Sequence, residues 1–191
     1  MMDSEIFKLC MDCAHSIYGY VAPSSAYASR TGNLLYGTCV QESGNFRWQR
    51  QIGFGIDDIR GGWSWWQLQR NAVDECIRLL SNNVHLFNRT TEWIFGIPAY
   101  KGSRWFNYTQ PIDLMRQILW QPRMAVAFAR LYYMTDAAPI PETLLKQAAY
   151  WKDVYNTSAG KGRAEEYIDK WNKHAVPIVE DYWMYAPEED E

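Results

Sequence analysis

The stretch Leu34-Leu35-Tyr36-Gly37-Thr38-Cys39-Val40-Gln41-Glu42-Ser43-Gly44 decides how this chain is read. Positions 35, 38, 39 and 42 share one helical face, so an otherwise apolar stripe ends on a carboxylate. Asn33 is placed to cap the start of this helix and Gly44 to stop it. A carboxyl in the last turn lies beside apolar surface and at the negative end of the helix dipole. Both effects disfavour the charged form, so the pKa of Glu42 is expected to rise. A carboxyl that keeps its proton near neutral pH is what glycosidic cleavage needs as general acid. The plainer alternative for the same spacing is a solvated glutamate at a fraying helix end.

Helical periodicity extends on both sides of this stretch. Ile6, Leu9, Cys10, Cys13, Ala14 and Ile17 form the apolar stripe of an N-terminal helix, which places both thiols of the C-x-x-C spacing on that stripe. Cys39 and Cys76 are isolated, and His15 is the one nearby imidazole, too little for a closed zinc shell. The four cysteines are therefore expected to be buried and reduced, in keeping with intracellular synthesis. Residues 19–32 read as a loop, and residues 45–62 as a long irregular segment rich in Gly, Trp and Gln. A third helix is expected from about Ala72 to Phe87 with Asn71 as its cap, followed by an irregular stretch from Thr90 to Pro111. The pattern from Ile112 to Met134 is helical and divided at Pro122. Pro139 and Pro141 open a helix through about Tyr155, and another covers Ala164 to His174. The expectation is one mainly α domain over residues 1–185, followed by an acidic tail at 186–191.

Composition narrows the function. The chain has 191 residues, 48% apolar and 21% charged, which excludes a disordered polymer. No apolar run approaches the roughly 18–20 residues of a membrane span, so none is expected. A net charge of −3 leaves no electrostatic footprint for nucleic acid. Met1-Met2-Asp3-Ser4-Glu5 lacks the positive start of a signal peptide. Ten Trp within a 16% aromatic content suit either a Trp-rich core or a cleft for flat ligands such as sugar rings.

Three segments, in order along the chain, carry a family likeness. They are Gln41-Glu42-Ser43-Gly44, Gly62-Trp63-Ser64-Trp65-Trp66-Gln67-Leu68, and Tyr155-Asn156-Thr157-Ser158-Ala159-Gly160-Lys161-Gly162. The chain resembles the lysozyme-like superfamily in its soluble lytic transglycosylase branch. The first segment is like the family's Glu-Ser motif, the second like its Gly-Leu-Met-Gln segment, and the third like its Ala-Tyr-Asn-x-Gly motif. Together they bracket residues from about 33 to 171. Trp151-Lys152 and Lys161-Gly162 narrow the likeness to small phage proteins that resemble virion or tail components. Ser64 stands where the family usually has Gly. Arg70-Asn71-Ala72 replaces the usual Pro-Ala-Thr, and the spacing from Glu42 to Gln67 is longer than in compact members.

The resemblance implies a lysozyme-like single domain of about six to seven helices with irregular cleft-lining loops. It implies a peptidoglycan-cleaving lytic transglycosylase that needs no cofactor or metal and acts as a virion (tail-associated) component. Its partners would be peptidoglycan glycan strands and other virion or tail proteins. Glu42 would be the catalytic acid. It would protonate the glycosidic oxygen between N-acetylmuramic acid and N-acetylglucosamine, then as carboxylate take a proton from the sugar's primary hydroxyl, closing an anhydro ring. Tyr155 and Asn156 would orient the substrate's acetamido group, and Ser43 and Gln67 would hydrogen-bond the glycan or the acid. Trp48, Trp63, Trp65 and Trp66 are stacking candidates, with Trp65 and Trp66 carried as substrate-binding. Alternation along an extended segment puts Trp63 and Trp65 on one side and Trp66 on the other, so at least one belongs to the core. Asp57 and Asp58 leave open a two-carboxylate muramidase. A catalytically silent structural virion protein and a sugar-binding module are further alternatives.

Overall fold

The computed structural model describes residues 2–18, 21–47, 49, 51, 53–54, 58–98, 111–157 and 160–185. Among them the chain is mainly helical, with an isolated antiparallel bridge between Trp63 and Leu68. Helix α1 (Met2–Ser16) is followed by α2 (Ser25–Glu42), α3 (Arg70–Asn82), α4 (Val84–Phe95), α5 (Pro111–Trp120), α6 (Pro122–Tyr133) and α7 (Leu144–Tyr150). Helix α7 runs on into a π-helical turn, Trp151–Asn156. Helix α8 (Ala164–Lys170) continues through a second π turn, Trp171–Ala175, into α9 (Val176–Tyr185). No helix among the described residues is long and apolar enough to cross a membrane.

Several boundaries differ from the periodicity reading, each for a local reason. Helix α2 begins at Ser25, not Leu34, because the Ser24 side chain accepts a hydrogen bond from the Tyr27 backbone N–H and caps it there. Asn33 is thus interior. The single helix expected from Ala72 to Phe87 is two helices broken at Asn83. The backbone of Asn83 is extended, and its Oδ1 accepts from Leu86 N at 3.0 Å, starting α4. Asn71 lies inside the first turn of α3 and does not cap it. Residues Thr90 to Phe95, read as irregular, belong to α4, which stops at left-handed Gly96. The division at Pro122 holds, with the proline in the first turn of α6. Thr143 caps α7, so Pro139 and Pro141 precede that helix rather than open it. The acidic tail, Trp48, Asp57, Ser158 and Ala159 lie outside the described residues.

Helix α2 is central. From Leu34 to Gln41 every residue is buried, so neighbours cover the whole circumference of its second half. Phe7 of α1 packs edge-on against Tyr36 (5.2 Å between centroids) and against Tyr182 of α9 (5.0 Å). Thr38 Oγ1 and Tyr133 Oη share a 2.7 Å hydrogen bond that pins α2 to α6. Helix α6 is buried from Met124 to Leu131 as well, and its Arg130 reaches the carbonyl of Ile17 beyond the end of α1. All four cysteines are buried with free thiols, as expected, and burial holds each well above the usual thiol pKa.

Two glycines let α2 be enclosed. A Cβ on Gly32 would lie 2.2 Å from Met11 Sδ, and one on Gly37 would lie 2.1 Å from Tyr167 Oη and 2.8 Å from the Trp171 ring. Glycine at 37 is therefore what allows the α8 segment to cross close over α2, beside Glu42. Alanine is the better helix former by about 1 kcal/mol, yet overpacking of this kind costs roughly 1–3 kcal/mol. Gly37→Ala is expected to lower the urea midpoint of unfolding, with a net loss of up to about 2 kcal/mol.

Candidate active site

The end of α2 is built tightly. Gly44, Asn45 and Phe46 follow it with φ of 60°, 61° and 62°, a left-handed run in which each non-glycine residue costs about 1–2 kcal/mol. Ser43 offsets part of that cost. It is fully buried, and its Oγ accepts from Phe46 N at 2.6 Å. Ser43 was expected to touch glycan or the acid. It serves the turn instead, because its short side chain sits where the chain folds back under Glu42.

A cleft of about 540 Å³ opens beside the turn, and three segments far apart in sequence meet on its wall. Helix α2 contributes Glu42, the loop from Trp63 to Leu68 contributes Gln67, and the first π turn contributes Tyr155 and Asn156. The loop is closed by a reciprocal pair of hydrogen bonds between Trp63 and Leu68, both 2.9 Å. Its Ser64 and Gln67 have φ of 65° and 49°. Ser64 therefore holds a left-handed backbone that glycine adopts more readily. Gln67 Nε2 donates to the Ser64 carbonyl at 2.8 Å. Gly62 has no room for a Cβ, which would lie 2.7 Å from Gln67 Oε1.

Two of the tryptophans of this loop are buried in the core. Trp66 is fully buried, and its Nε1–H donates to the Leu35 carbonyl of α2 at 2.9 Å. Its own carbonyl accepts from Tyr155 Oη at 2.7 Å, so one residue ties α2, the loop and the π turn together. Trp63 is fully buried too. Neither can stack on a sugar ring. Trp65 is half-buried, edge-on to Phe46 at 5.9 Å and away from the cleft wall. The stacking expectation is corrected for Trp63 and Trp66, whose large indole faces fill the core.

Glu42 has the surroundings anticipated for it. Trp151 Nε1–H donates to its Oε1 at 3.0 Å, and the side-chain amide of Asn156 hydrogen-bonds it as well. Burial pushes its pKa from 4.5 to about 7, against the opposing pull of Trp151, of the Lys170 ammonium and of Asn156. The π turn is what brings both donors to one carboxyl. In an α-helix residues 151 and 156 would point about 140° apart. Bonding from i to i+5 widens the turn and swings them to the same side.

The Gly160-Lys161-Gly162 segment follows from close packing on those donors. A Cβ on Gly160 would lie 2.2 Å from Asn156 Oδ1, and one on Gly162 would lie 2.5 Å from the Trp151 ring. Lys152 Nζ donates to Asn156 Oδ1, to Thr157 O and to Gly160 O, closing the same turn. Among the described residues Glu42 is the one carboxylate on the cleft wall. Asp58 is held in a two-pronged ion pair with Arg60, away from that wall. Sequence reasoning missed Gln51, Asn71 and Tyr132 on the wall, Trp151 on the acid, and Lys170, whose Nζ donates to the Gln41 carbonyl at 3.0 Å. Trp151 did carry a signal: it stands four residues before Tyr155, within the run that the family likeness already marked.

Comparison with protein-family models, curated proteins and solved structures finds no match to this chain.

The raised pKa has a consequence for stability. Between pH 4.5 and 7 the unfolded chain has lost the Glu42 proton while the folded chain still holds it. This residue's unfavourable contribution is therefore absent below pH 4.5 and grows as pH rises through 7. At full development it amounts to roughly 3 kcal/mol. Glu42→Gln keeps a carbonyl acceptor for Trp151 and cannot ionise. Thermal unfolding should show this variant more stable than wild type at pH 8, with the gap closing towards pH 4.

Proposed function

We propose that this protein cleaves the glycan strands of peptidoglycan by lytic transglycosylase chemistry, with Glu42 as acid and then base. The observation that carries the reading is a lone carboxyl on the described cleft wall, with a pKa of about 7 and two hydrogen-bond donors aimed at it. A pKa near the working pH lets one group give a proton and take one back. The neutral carboxyl protonates the glycosidic oxygen as the bond to the anomeric carbon breaks. The N–H groups of Trp151 and Asn156 then stabilise the carboxylate left behind. That carboxylate removes the proton from the sugar's primary hydroxyl as its oxygen closes on the anomeric carbon, which returns Glu42 to its starting form. No water is consumed.

The remaining wall suits a sugar. Gln67 and Asn156 present amides, and Lys161 and Thr157 add polar groups at the cleft's edge. The Tyr155 hydroxyl is committed to the Trp66 carbonyl, so this residue shapes the wall through its ring. The lysozyme-like family and a place in a phage virion or tail belong to the same proposal and are supported by the three sequence segments.

Wild-type protein should clear a suspension of purified cell walls, and Glu42→Gln should lose at least 100-fold of that rate. Clearing should decline as pH rises above about 7, where the acid is spent as carboxylate. Mass spectrometry of the digest should show anhydro products, lighter by one water than reducing-end sugars. Reducing ends alone would make the enzyme a hydrolase. Walls bound but uncut by both forms would make it a binding module, and co-purification with particles without either property a structural protein.

A further inference from the structure

An asparagine side chain has an acceptor at one end and donors at the other. The end that faces a carboxyl decides which protonation state of that carboxyl it favours. Asn156 stands in this position beside Glu42. Its orientation is set by Lys152. An ammonium has three protons and no acceptor, and Lys152 Nζ has three oxygens in reach: Asn156 Oδ1 at 2.9 Å, Thr157 O at 2.8 Å and Gly160 O at 2.8 Å. With Oδ1 taken, the N–H groups of Asn156 are the end left for the acid. The glycines fit around that arrangement: a Cβ on Gly160 would collide with Oδ1, and one on Gly162 would press on Nδ2 at 3.1 Å.

We propose that Lys152 is a positioning residue for Glu42: by holding Asn156 Oδ1 it keeps the amide N–H groups on the acid and so favours the carboxylate formed when the proton leaves. The inference rests on the reading of Glu42 as acid and base. It assigns Lys152 a role distinct from that of the other groups facing Glu42. Lys170 of α8 acts on the carboxyl by charge, and the hydroxyls of Tyr133 on α6 and Tyr155 on the π turn are held neutral by burial. Lys161 lies further along the same wall.

Carbon-13 NMR of the Glu42 carboxyl in the intact chain tests this. Lys152→Met frees the amide to turn its oxygen towards the protonated acid, and should raise the Glu42 pKa by about one. In an Asn156→Ala background the same substitution should move it by less than about 0.3. The alkaline limb of the wall-clearing profile should shift up in Lys152→Met while maximal turnover falls. Equal rises in both backgrounds would reduce Lys152 to a nearby charge and overturn the proposal, as would no rise in either. Should Lys152→Met fail to fold, the wild type decides. Its Asn156 side-chain N–H resonances should titrate in step with Glu42, and indifference to that titration overturns the proposal. The pKa is read without glycan, so a wild type that leaves walls uncut would overturn the proposed activity while the Lys152 coupling is judged by itself.

Discussion

The enclosure of α2 is the constraint on which this molecule depends. A helix covered on all sides up to Gln41 screens its half-buried terminal carboxyl from part of the water that normally keeps a glutamate ionised at neutral pH. Enclosure demands close approach, so glycine occupies the points where Met11 and the α8 segment cross α2. The same demand explains the left-handed run after Ser43, which turns the chain back under the helix instead of letting it fray into solvent.

Desolvation by itself would push the pKa higher still and leave a carboxyl too weak an acid to give up its proton. The first π turn supplies the counterweight by aiming an indole N–H and an amide at the same group. Lys170 adds positive charge from α8. Burial outweighs these opposing effects and leaves the pKa at about 7, where both protonation states are populated. Trp66 then couples the parts mechanically, with its ring on α2 and its carbonyl on Tyr155.

Much of the helical layout was legible because periodicity and proline punctuation are local. The split at Pro122 and the apolar stripe through Cys10 and Cys13 are cases of this. The boundaries that escaped turned on single side-chain caps, at Ser24, Asn83 and Thr143, which look like loop residues until the bond they accept is known. At the site, Glu42, Gln67, Tyr155 and Asn156 were all named from sequence and meet on one wall. Ser43, Trp65 and Trp66 were named too, but composition does not distinguish an indole that stacks on ligand from one that fills a core.

The sequence by itself determined a mainly helical chain with one acidic residue at the end of an apolar helical face, since both follow from residue order within a few turns. Tertiary structure decided how strongly that acid is held neutral and which groups oppose it. Trp151 lies 109 residues from Glu42 along the chain, and its bond exists because α7 and the π turn it opens pack beside the end of α2. No local pattern encodes such a meeting. Desolvation and donor alignment are properties of the packed whole, and they appear only when distant segments close around one side chain.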